Sequence, residues 1–106
     1  MNRYRINQAV ISENIEWSAH ALRKMLERWI SRKAVKQIIM NGEVIEDYPH
    51  DTPYPSALIF GMQEKFAVHA VISFDHLEEK VYVITAYIPD DRLFESDCKT
   101  RKKNDS

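Results

Sequence analysis

The chain reads as an α+β domain, two helices packed on one face of a four-stranded antiparallel sheet. Three observations carry this reading. Between residues 18 and 40 apolar side chains recur at intervals of three and four, the period of a helix. From residue 43 the pattern changes to four runs rich in β-branched and aromatic residues. Two of these runs, 66–74 and 80–88, are joined by a link short enough for a hairpin. Helices followed by consecutive strands put the helices together on one side of an antiparallel sheet.

Residues 1–16 are polar with scattered apolar positions (Ile6, Val10, Ile11, Ile15) and read as an N-terminal extension with at most a short helix or strand. Ser18 is a helix N-cap, because its hydroxyl can accept from a free backbone N–H of the first turn. The following ALRKMLE run is made of good helix formers, and Leu22, Met25, Leu26 and Trp29 make an apolar stripe. Ser31 is a second N-cap, for a helix over 32–40 with Val35, Ile38 and Ile39 as its apolar side. Asn41-Gly42 ends that helix, Gly42 being suited to the left-handed position after a helix. The short link between the helices makes them neighbours in space.

Residues 43–48 (EVIEDY) form the first predicted strand. Pro49, Pro53 and Pro55 punctuate a loop. The other strands are 56–62, 66–74 and 80–88, and residues 17–97 make a single domain. Residues 98–106 (CKTRKKNDS) are a basic tail, expected to fray.

At 106 residues the chain can build one core. Its net charge of −1 argues against a protein that coats nucleic acid indiscriminately, since such proteins are basic. Cys98 stands alone, so no internal disulfide forms, which fits a reducing cytoplasm. No apolar run is long enough for a membrane span, and the first residues lack the apolar centre of a signal peptide. The expected location is cytoplasmic.

Two groups of side chains could carry chemistry. His20, Lys24 and Arg28 are four apart, so on a helix they form a rising row on one face. Such a row is either a solvated charged face or a cationic surface for phosphate or carboxylate; a Glu27–Arg23 pair would favour the first. The second group comes from alternation. His69 shares a strand face with Ala67, Val71 and Ser73; Thr85 and Tyr87 share one with Val81 and Val83. A turn centred on Leu77 puts Thr85 opposite His69 and Tyr87 diagonal to it. This is either a polar cluster satisfying itself or part of a site.

If row and cluster meet, two imidazoles, a Lys, an Arg and a Tyr gather in one place. That inventory suits RNA transesterification without metal. His20, His69 and Tyr87 are the catalytic candidates, since imidazole and phenol can move protons. Lys24, Arg28 and Thr85 are the substrate-binding candidates, the two cations facing the phosphate. The histidines show no metal-ligand spacing and there is no Gly-rich phosphate loop, so neither a metal site nor a cofactor is expected.

These residues also carry a resemblance. The pattern S-x-H-A-x-x-[KR]-M-x-x-R falls on Ser18, His20, Lys24, Met25 and Arg28. N-G-E-x-I-E-x-Y follows at Asn41-Gly42-Glu43, Ile45 and Tyr48, then P-Y-P-x-A-L from Pro53 to Leu58. His69 and Val71 lie in an H-x-V strand, and I-T-A-Y-x-P-D spans Ile84-Thr85-Ala86-Tyr87 with Pro89-Asp90. The chain is thereby similar to a small bacterial and archaeal family catalogued as a domain of unknown function. Its order of elements resembles that of the RelE-like toxins, compact ribonucleases grouped with barnase-like folds. The resemblance implies a ribonuclease toxin, or a relative of one, with RNA as substrate and an antitoxin protein as partner. It departs from the family pattern at Phe94, where Trp is expected, and at Lys24, where Arg is common and gives a bidentate fork that Lys lacks. The alternative is a non-catalytic interaction module of the same fold that binds an acidic protein partner. A homodimer through sheet-edge pairing is compatible with either.

Overall fold

The computed structural model describes residues 1–103 and has the expected α+β architecture, with three helices in place of two and five strands in place of four. The elements are α1 (Arg3–Ile11), β1 (Ile15–Trp17), α2 (Ala19–Glu27), α3 (Arg32–Asn41), β2 (Glu43–Tyr48), β3 (Ser56–Gln63), β4 (Phe66–Asp75) and β5 (Lys80–Tyr87). The strand order is β1-β5-β4-β3-β2. β2 to β5 pair antiparallel, but β1 runs parallel to β5, so the sheet is mixed rather than purely antiparallel.

The two additional elements come from the segment read as an extension. Asn2 caps α1 by accepting from the Arg5 N–H at 3.1 Å. Ile6, Ala9 and Val10 of α1 belong to the same core as Val81 and Val83 of β5. The Arg3 guanidinium donates to the carbonyls of Ile39 (2.7 Å) and Gly42 (3.2 Å), satisfying acceptors left free where α3 ends. These contacts tie the first residues into the domain, and the three-residue β1 then leads directly into α2.

Both predicted serine caps are present. Ala21 N–H donates to Ser18 Oγ at 2.9 Å, and Ala34 N–H to Ser31 Oγ at 3.0 Å. The stripe of α2 differs from expectation. Ala21 and Met25 are buried, whereas Leu26 and Trp29 are exposed. α2 ends before Trp29, which sits in a left-handed turn, so the helical spacing that would bring Trp29 inward stops short of it. Gly42 also differs: its φ of −76° and ψ of 178° are extended, not left-handed. A Cβ there would lie 2.5 Å from the Ile38 and Phe60 carbonyl oxygens, so close backbone approach is what requires glycine.

The core lies between the three helices and one face of the sheet. Val68, Ala70, Ile72 and Phe74 of β4 face it, together with Ile59, Val81, Val83 and Ala86. The other face carries Phe60, His69 and Tyr87 in one row, Glu46, Leu58, Val71 and Thr85 in the next, and Tyr48, Ser56, Ser73 and Tyr82 in a third.

Two bulges shape that second face. Pairing shifts between Val71 and Ile72 of β4, where Thr85 and Val83 are the successive partners and Ile84 is left over. This reverses the parity of β5. Val81 and Val83 point to the core on one side of the bulge, and Thr85 and Tyr87 point away from it on the other. His69 is therefore opposite Tyr87, and Thr85 opposite Val71, in place of the expected His69–Thr85 pair. A second irregularity at Ile45 sets Glu46 opposite Leu58.

The basic tail is not wholly frayed. Residues 94–101 fold back over the helix-free face, closed by an isolated bridge between Phe94 and Arg101. Phe94 is 2% exposed and packs edge-on against His69 at 4.6 Å between ring centres. Residues 104–106 of the expected tail lie outside the described residues.

Candidate functional site

The helix-free face brings several titratable groups together beneath residues 94–101. His69 is fully buried. Its Nε2 lies 2.6 Å from the Cys98 carbonyl, an acceptor only, so this nitrogen carries the proton. Nδ1 then accepts from the Tyr87 hydroxyl at 3.3 Å. Burial pushes the His69 pKa below its usual value, against the smaller opposing pull of the Cys98 hydrogen bond and Glu46. His69 is thus a neutral imidazole that orients Tyr87.

Glu46 is the acid of this face. Arg101 grips it with Nε to Oε2 at 2.6 Å and NH2 to Oε1 at 3.2 Å. The Tyr48 hydroxyl donates to Oε1 at 2.7 Å. The Arg101 hydrogen bond holds the Glu46 pKa below the ordinary carboxylate value, outweighing the effect of burial. Glu46 raises the Tyr48 pKa through the same hydrogen bond, and burial raises that of Tyr87. Both phenols therefore stay protonated at neutral pH. The Arg101 side chain is 53% exposed while that of Glu46 is 18% exposed, so Arg101 is the more solvent-accessible member of the pair. Arg101 is also stacked over Phe94, 4.9 Å from the ring centre, and lines a cleft of about 310 Å³ with Arg92, Leu93, Lys102 and Lys103.

The predicted residues divide between two sides of the sheet. His69, Thr85 and Tyr87 do share the helix-free face, with Thr85 and Tyr87 half-buried. His20 and Lys24 on α2 and Arg28 at its C-cap are exposed, while α2 packs through Ala21 and Met25 on the core side. Among the described residues no hydrogen bond or ion pair joins the two groups. Lys24 instead approaches Glu27 at 4.0 Å. The single-site assembly is not formed: Ala21 and Met25, not the charged row, face the sheet.

The sequence reading does not single out Glu46, Tyr48 or Arg101. Glu46 and Tyr48 were legible in principle, because two positions apart on a strand they share a face. Arg101 carried no such signal, since a basic residue in a polar tail has no period to place it. Among the described residues there is no group of three or more His, Cys, Asp and Glu positioned to hold a metal ion. None of the described helices is long and apolar enough to cross a membrane.

A family model described as "Domain of unknown function (DUF4258)" matches residues 17–88. The chain belongs to this family. Within DUF4258 the match takes in α2, α3 and β2 to β5, and with them His20, Lys24, Arg28, Glu46, Tyr48, His69, Thr85 and Tyr87. α1 and the 94–101 segment, which supplies Arg101, lie outside the matched residues. No curated protein and no solved structure matched the chain.

Proposed function

We propose that this DUF4258 chain is a metal-independent endoribonuclease resembling the RelE-like toxins, acting in the cytoplasm, with the helix-free sheet face as its reactive surface. The observation that carries the reading is the Glu46–Arg101–Tyr48 set, held beside Tyr87 and neutral His69. Cleavage of RNA by its own 2′-hydroxyl needs a base, an acid and a fixed cation, and this set contains all three.

In this reading a substrate phosphate binds Arg101 and competes with Glu46 for the guanidinium. Released from that pair, the Glu46 carboxylate regains basicity and takes the 2′-OH proton as the O2′–P bond forms. The P–O5′ bond breaks, and the leaving 5′-oxygen takes a proton from the Tyr48 hydroxyl. Glu46 and Tyr48 are already hydrogen-bonded, so the proton on Glu46 can return to the phenolate and reset both groups. Tyr87, oriented by His69, and Thr85 in the neighbouring row supply further hydrogen bonds to the substrate. An antitoxin protein partner would cover this face.

A second reading, a non-catalytic module of the same fold that binds an acidic protein partner, is favoured by the saturation of His69, both of whose ring nitrogens already have protein partners. Induced expression separates the two. Wild type should arrest growth with loss of total RNA, and a Glu46→Gln/Arg101→Gln variant should do neither. Normal growth and intact RNA with a folded wild-type protein would favour the module.

A further inference from the structure

The turn joining α2 to α3 displays Trp29 with 86% of its surface exposed. Its φ of 58° is a left-handed conformation that bulky residues rarely adopt. Gln63 pins this turn from the end of β3: its Nε2 donates to the Trp29 carbonyl at 2.8 Å, and its Oε1 accepts from the Ser31 N–H at 3.0 Å. The indole is therefore held outward on a fixed backbone. Trp29, Phe66 and Ile88 share an open cleft of about 650 Å³ with Arg28, Glu27 and Glu64. Phe66 is 58% and Ile88 39% exposed. Large apolar side chains gathered around one cleft mark an interaction surface, whereas scattered ones do not.

Charge defines what fits. Within the cleft Arg28 stands with Glu27 and Glu64, and Arg23, Lys24, Arg32 and Lys33 are further exposed cations along α2 and the start of α3. We propose that this cleft binds an acidic amphipathic segment of a partner protein. Its apolar side chains enter between Trp29 and Phe66, and its carboxylates meet Arg28 and the cations of α2 and α3. A nucleic acid fits less well, because it carries a phosphate at every nucleotide and cannot keep that charge away from Glu27 and Glu64 in the cleft. A peptide can place apolar groups inside and acids outside. The proposal deepens the interaction-module reading; the surface lies on the helix side of the sheet, so it does not depend on the ribonuclease reading and stands or falls separately from it.

The test is selection of a phage-displayed random 16-residue peptide library on the full chain, followed by binding measurements with synthetic winners. Enriched sequences should interleave acidic and apolar residues. Their affinity should fall with added salt. Kd should rise at least about tenfold in Trp29→Gly, which the left-handed backbone accommodates, and in Phe66→Ser. Arg28→Glu should weaken binding as well. Winners without acidic residues, winners that bind Trp29→Gly and Phe66→Ser as tightly as wild type, or displacement of the winners by a 12-mer oligouridine would each overturn the proposal. Any of these results leaves the sheet-face chemistry to its own assay.

Discussion

Arg101 grips Glu46 across 55 positions of sequence, Nε to Oε2 at 2.6 Å. The contact fastens the C-terminal segment to β2, and it sets the state of the acid. Arg101 holds the Glu46 pKa down, so the pair stabilises the fold above the ordinary carboxylate pKa of 4.5 and loses that contribution as pH falls through the lower folded value. Arg101→Gln should cost about 1 kcal/mol at pH 7, after discounting for the exposure of the guanidinium. The cost should shrink toward pH 3. Denaturant titrations of both proteins at the two pH values measure this.

Burial gives His69 the opposite chemical character but the same direction with pH. Its folded pKa lies below the ordinary 6.5, so the unfolded chain takes a proton that the folded chain refuses. Wild type should therefore lose stability as pH falls from 7.5 toward 5. His69→Phe should lose less over that window. At pH 7.5 the same substitution should cost about 1–3 kcal/mol, because the Cys98 carbonyl and Tyr87 hydroxyl lose their partner. Urea unfolding at three pH values reads both effects.

His20 and Lys24 are exposed and lie on the far side of the sheet from Glu46. His20→Ala and Lys24→Ala should each change stability by no more than about 0.5 kcal/mol. Under the proposed chemistry they should also leave RNA cleavage within about twofold of wild type. Thermal melting and an oligonucleotide assay check the pair. A large loss of activity in a folded His20→Ala protein would return the row to the site.

Gly42 and Gly61 are both crowded, by different neighbours. A Cβ on Gly42 would meet two backbone oxygens at 2.5 Å, and one on Gly61 would meet the Ile38 side chain at 2.6 Å. A side chain can yield where a carbonyl fixed by secondary structure cannot. Gly42→Ala should cost more than Gly61→Ala, with both near the 1–3 kcal/mol, roughly, of an overpacked site. Thermal unfolding of the two variants gives the order.

The elements that declared themselves in the sequence are those with a long period and a cap. Ser18, Ser31 and the alternating runs of β2 to β5 are of this kind. α1 was obscured because its few apolar positions are spread among polar ones, and β1 because three residues show no alternation. The register of the β4–β5 hairpin turned on Ile84. An apolar residue fits a regular strand as well as a bulge, so nothing in its side chain betrays the shift that sets His69 opposite Tyr87. Alternation could put His69, Thr85 and Tyr87 near one another, but the regular register pairs His69 with Thr85 and not with Tyr87. Arg101 could not be placed from the sequence, because its place depends on Phe94 anchoring the C-terminal segment over His69.

The most direct test of the proposed chemistry is incubation of a single-stranded RNA with purified protein in excess chelator, with the product ends identified. Wild type should release fragments ending in 2′,3′-cyclic phosphate. Glu46→Gln and Arg101→Gln, folded by circular dichroism, should be slower by about 10²-fold or more. Equal cleavage by wild type and both variants, or none by wild type against several RNAs, would contradict it.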